Sequence, residues 1–171
     1  MLRFPAVLLL ALAAVACSPT FNWRELRVES TSLKAMLPCK PDKGMRRVAM
    51  GTAQVELSGV GCDAGGATFA VLHAELGDPA RADEVLAQWN RATLANLHGS
   101  ATGTRPFALP GSTPLAAAQR VSMAGQRPDG TRVLGEAAYF AQGNQVFQAV
   151  VYASNPKPEW LQPFFDGLKF E

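Results

Sequence analysis

The residue pattern predicts an α+β domain: an antiparallel sheet of about six or seven strands packed with one long and one short helix. Three observations carry that expectation. Apolar residues recur at two-residue spacing through most of the chain, the signature of strands. A single stretch from Asp78 to Gly99 switches to helical spacing. The C-terminal third divides into three strand-length runs separated by the turn sequences Pro128-Asp129-Gly130 and Gly143-Asn144.

In chain order, Trp23 to Val28 reads as a first strand and Leu33 to Leu37 as a second, stopped by Pro38 and Pro41. Met45 to Met50 and Thr52 to Val60 form a hairpin about Gly51, and the glycine-rich Gly59 to Gly66 reads as a turn. Ala67 to Leu76 carries Phe69 and Val71 on one face and Ala70, Leu72, Ala74 and Leu76 on the other. Both faces are apolar, which predicts a central strand covered on both sides.

Asp78-Pro79 opens a helix, with an acidic cap and proline at the first helical position. Ala82, Val85, Leu86, Trp89, Thr93 and Leu97 make its buried stripe, and His98-Gly99 end it. Ser100 to Pro114 is rich in Gly, Pro, Ser and Thr and reads as a loop with one short extended piece. The meander follows as Ala117 to Gln126, Thr131 to Gln142 and Gln145 to Ser154. A two-residue loop at Gly143-Asn144 fixes register and pairs Phe140 with Phe147 and Ala138 with Ala149. A short helix from Pro158 or Glu159 through Phe165 and a last extended piece, Leu168 to Phe170, complete the chain.

The segment ahead of this domain is of another kind. After Arg3, Phe4 to Ala16 is an uncharged run of 13 residues, too short for a spanning helix of about 20. A basic start, a short apolar stretch and small residues mark a cleavable signal over residues 1–16. The run ends Ala14-Val15-Ala16-Cys17, which resembles the lipobox of bacterial lipoproteins, with Ala14 where leucine is usual. That resemblance implies diacylglycerol on the Cys17 sulfur and cleavage before it. The alternative is an ordinary cysteine beside a generic secretory site. Ser18 stands where aspartate would mark inner-membrane retention in Gram-negative bacteria, so the expected location is the outer membrane, facing the periplasm. Residues 17–23 would be a short tether and 24–171 one globular domain; the five residues from Ser18 to Asn22 reach under ~20 Å. The domain is therefore expected at the membrane surface, with an envelope protein partner close to it.

Composition excludes one class. Lys and Arg total 16 against 14 Asp and Glu, scattered in both signs, and no basic stripe suits nucleic acid. With Cys17 assigned to lipid, Cys39 and Cys62 remain in an oxidising compartment and are expected to pair.

Leu33 to Leu37 running into Pro38-Cys39-Lys40-Pro41, Ala67 to Val71 followed by a helix, and the closing Phe164-Phe165-Asp166-Gly167-Leu168-Lys169-Phe170 together resemble PsbP-like domains. The resemblance spans roughly Arg24 to Phe170 and implies an accessory or assembly role without catalytic residues to transfer. The chain also resembles small uncharacterised Gram-negative lipoproteins.

Sequence motifs for chemistry are sparse. Gly59 to Gly66 lacks the following helix that a phosphate cradle needs. His73 and Glu75 lie two apart on one strand and project from one face, with Asp63 or His98 as possible third ligands for a metal. His98 alternatively caps its helix. Arg120 and Glu136 stand among apolar neighbours and are placed to meet across the meander, either as a solvated pair or, if buried, as a polar pocket. Arg105, Phe107 and Leu109 alternate like an edge strand over the core or a binding loop. The leading expectation is a non-enzymatic binding or assembly domain with no cofactor. The alternative is an enzyme, or a ligand- or metal-binding pocket, built on His73, Glu75 and Glu136.

Overall fold

The computed structural model of the chain describes residues 20–171. Ten strands run β1 (Arg24–Arg27), β2 (Leu33–Leu37), β3 (Asp42–Met50), β4 (Ala53–Ala64), β5 (Ala67–Glu75), β6 (Ser100–Pro106), β7 (Gln119–Gln126), β8 (Arg132–Gln142), β9 (Gln145–Ala153) and β10 (Lys169–Phe170). Helix α1 (Ala82–Asn96) lies between β5 and β6, and α2 (Pro158–Asp166) between β9 and β10. The class is α+β, as the pattern predicts. The strands form two sheets, however: a seven-stranded one in the order β3-β4-β5-β9-β8-β7-β6 and a three-stranded one in the order β1-β2-β10. All adjacent pairs are antiparallel.

The large sheet is the middle layer. On one face, Phe69, Val71, Phe147, Ala149 and Phe140 pack against the inward side of β2 (Leu33, Ala35, Leu37) and against Phe164 and Phe165 of α2. On the other, Tyr139, Val146, Val150 and Val121 pack against Val85 and Leu86 of α1. Burial of this kind stabilises at roughly 25 cal/mol per Å² of apolar surface. The Gly143-Asn144 turn sets the predicted register, Phe140 opposite Phe147 and Ala138 opposite Ala149.

Several boundaries differ from the sequence expectation for physical reasons. Gly59 and Gly61 belong to β4, and only Gly65 and Gly66, with φ of 59° and 75°, make the turn. A Cβ at Gly59 would meet Leu72 Cδ2 at 2.4 Å and one at Gly61 would meet the Phe69 carbonyl at 2.6 Å, so the two glycines permit close strand packing. Ser100–Pro106 is a full edge strand, with Phe107 and Leu109 packed on the core beyond it. The face of β5 that carries Ala70 and Leu72 is only half covered.

The Asp78 carboxylate accepts from Ala80 N at 3.0 Å, and the chain makes one 3₁₀ turn (Pro79–Arg81) before α1. At the other end His98 adopts φ 45°. Its N–H donates to Ala95 O and that of Gly99 to Leu94 O, both at 3.0 Å, a Schellman cap. The following position has no room for a side chain: a Cβ at Gly99 would lie 2.3 Å from Ala124 O.

Candidate functional site

Cys17 lies outside the described residues. The chain joins the core at Phe21, whose ring lies 5.4 Å from Trp160 and 6.2 Å from Trp23, with an edge-on contact to Phe69 at 6.3 Å. Lys157 stands over Trp160, its Nζ 5.5 Å from the ring centre. Aromatic rings tipped with a cation are what an interface between water and lipid favours. Among the described residues no helix is long and apolar enough to cross a membrane.

Cys39 and Cys62 form the expected disulfide, with Cα atoms 6.0 Å apart. Cys39 follows β2 and Cys62 is in β4, so the bond ties the small sheet to the large one.

His73 and Glu75 do share a cavity, of about 540 Å³, opening between β4, β5 and the β1–β2 connection. His73 is 8 % exposed, and burial lowers its pKa below the ordinary 6.5. Its ring lies 6.1 Å from that of Phe147. Glu75 is exposed and accepts from Asn144 Nδ2 at 2.9 Å. The rim mixes Arg27 and Lys43 with Glu29 and Glu56, and Lys43 is paired with Glu29 at 3.1 Å. No single sign dominates it.

Glu136 is elsewhere. It lies on the same face of the sheet, but four residues along β8 from Phe140, which aligns with His73 through Phe147. That offset and two strand spacings separate the two sites by roughly 17 Å. There Glu136 Oε1 accepts from Arg120 Nε at 2.5 Å and from Arg105 Nη2 at 3.1 Å. The Glu136 and Arg120 side chains are only 11 % and 13 % exposed, against 61 % for Arg105. The Arg120 guanidinium lies 3.7 Å from the centre of the Phe165 ring. The pair is therefore buried and already engaged, a clamp between the meander and α2. It forms no pocket with His73.

Asp63 accepts from Thr68 Oγ1 at 2.6 Å, and His98 is exposed at the end of α1. Among the described residues no three His, Cys, Asp or Glu side chains gather as a metal site.

A second cavity, of about 640 Å³ and absent from the sequence reading, lies between α1 and the half-covered face of β3, β4, β5 and β9. Leu57, Ala70 and Leu72 make its floor, and Trp89 and Leu97 its wall. Beneath the helix, Gln148 Nε2 donates to Thr93 Oγ1 and Tyr139 Oη, both at 2.9 Å, while the Thr93 hydroxyl donates to Trp89 O at 3.0 Å. Burial raises the pKa of both Tyr139 and Tyr152, keeping those phenols neutral. The available signal was the two-sided apolar pattern of β5, which reads equally well as a strand fully covered.

Protein-family models and curated proteins give no match to this chain. Among solved structures it is similar to PA94 of Pseudomonas aeruginosa, a protein of unknown function. The identity is 15 %, over 82 % of this chain and 92 % of that one, with a TM-score of 0.41. No argument about function rests on that likeness.

Proposed function

We propose that the chain is a non-catalytic binding domain, anchored by lipid on Cys17 at the periplasmic face of the outer membrane, that serves a membrane-proximal envelope protein as an accessory. The observation that carries this reading is the entry of the chain into the core at Phe21. Only Ser18, Pro19 and Thr20 then separate the lipidated residue from packed structure. Three extended residues reach about 11 Å, roughly three-fifths of the span expected for five. Two or more acyl chains on one cysteine give durable anchoring. The resemblance of the sequence to PsbP-like domains implies an accessory role by analogy of fold.

The competing reading, a reactive pocket on His73, Glu75 and Glu136, keeps two of its three residues in one cavity and loses the third to the arginine clamp.

Crosslinking in native envelopes tests the proposal. The wild-type chain should give a discrete adduct with an envelope protein, and Cys17→Ser should abolish both palmitate incorporation and the adduct. A flexible 20-residue insert after Ser18 adds roughly 25 Å of span and should weaken the adduct. Undiminished crosslinking with the insert, or no adduct together with stoichiometric metal binding, would overturn the proposal.

A further inference from the structure

The groove beside α1 follows from widths. A helix with its side chains is about 10–12 Å across and strands are about 4.8 Å apart, so one helix covers roughly two strands. Here α1 packs most closely on β8 and β9 and also touches β3 and β6, but leaves Ala70 and Leu72 of β5 and the facing Gly59 and Gly61 of β4 without a helix over them. The bare strip does not stop at Leu72. It continues as a second hollow of about 450 Å³ over Gly44, Gly59 and Gly61, sharing Arg46, Leu57, Ala70 and Leu72 with the first. From Gly44 to Met50 along β3 the track is roughly 20 Å long. The hydrocarbon of one membrane leaflet is about 15 Å deep, half of a ~30 Å core.

Its charges are few. No charged residue of α1, β4, β5 or β9 lines the track; Asp42, Lys43 and Arg46 of β3 do. Asp42 and Lys43 sit at the outer end, and Lys43 is held by Glu29 on the opposite face. Arg46 stands midway along the rim, exposed, and belongs to none of the ion pairs among the described residues. Gln148 Nε2 donates to both Thr93 Oγ1 and Tyr139 Oη, which ties the floor to the underside of the helix.

From the narrow apolar track, its length and the single unpaired cation on its rim, we propose that the groove binds a single-chain amphiphile with an anionic head, of the fatty-acid class. The chain lies over Leu57, Ala70 and Leu72 against Trp89, and the carboxylate meets Arg46. This inference is independent of the anchor, because the ligand is a free carboxylate.

Titration calorimetry of the purified chain with laurate tests it. Cys17→Ser is included throughout so that no acyl group of the protein itself is present. One laurate should bind per chain. Ala70→Phe fills the outer end of the track, in the row of Gly61 and Asp42; expelling about two methylenes should weaken binding roughly tenfold. Gly44→Phe fills the next row inward, beside Gly59 and Leu72, where a Cβ has nothing within 4 Å and the fold is undisturbed, and should also weaken it. Arg46→Glu should weaken laurate roughly fivefold while sparing dodecyltrimethylammonium, a cation of equal chain length. The proposal is overturned by laurate binding unchanged in both Phe variants, or by equal affinity for the cation in the Arg46-intact chain. It is equally overturned by a wild-type dimer that Ala70→Phe dissolves, which would make the groove an interface between copies.

Discussion

Replacing Glu136 with alanine is the sharpest test of how the meander and α2 are held together. The substitution leaves Arg120, whose side chain is 13 % exposed, without its carboxylate partner at 2.5 Å. Breaking a buried ion pair from one side costs about 3–5 kcal/mol, because the remaining charge stays desolvated. Two features favour the low end. Arg120 keeps the Phe165 ring at 3.7 Å, and Arg105, being 61 % exposed, hydrates freely once released. The expected loss is therefore about 3 kcal/mol. With a urea slope near 2 kcal/mol/M for a domain of this size, the midpoint should fall by roughly 1.5 M. Glu136→Gln, which keeps an acceptor, should lose less. The double variant Arg120→Met/Glu136→Leu should recover most of the stability, since apolar replacement of a buried pair is often neutral. A loss below about 1 kcal/mol for Glu136→Ala would refute the reasoning, placing the pair with exposed salt bridges.

Two further outcomes can be measured in the same way. Cys39→Ser/Cys62→Ser opens a loop of sequence separation 23 and should cost roughly 3–3.5 kcal/mol by chain entropy, read from denaturant unfolding; no change in midpoint would contradict it. For His73 the folded pKa lies below the unfolded value of 6.5, so the unfolded chain takes up the proton first. Its contribution to stability is complete above about pH 6.5 and declines as pH falls from there toward the folded pKa. His73→Phe should flatten that slope, and an unaltered pH profile would exclude His73 as its source.

Local features of the fold were legible and distant pairings were not. The Gly143-Asn144 turn fixed β8 against β9 because a hairpin encodes its own register. Asp78, Pro79 and the apolar stripe located the helix for similarly local reasons. The small sheet was not legible, since β2 meets β10 across nearly the whole chain and a two-residue strand carries no periodicity of its own. Gly59 and Gly61 were misread as turn residues because glycine signals both turns and close strand contacts; only the position of Leu72 and Phe69 behind them decides. At the candidate site, period two placed His73 and Glu75 on one face correctly. It could not say that Glu136, on that same face, lay four residues further along the sheet. The groove escaped notice for a related reason: alternation records which side chains are apolar, but not whether a single helix is wide enough to cover them.

The pairing of β10 with β2 also bears on the order in which the chain can assemble. Lys169 and Phe170 align with Lys34 and Leu33, and the Phe170 ring packs 5.5 Å from Phe147 and 5.9 Å from Phe140. A chain that emerges from its amino end has β1 and β2 available early, yet the open edge of β2 waits for the last three residues. Until they pair, that edge of β2 stays open and the Phe140 and Phe147 rings lack their cover from Phe170.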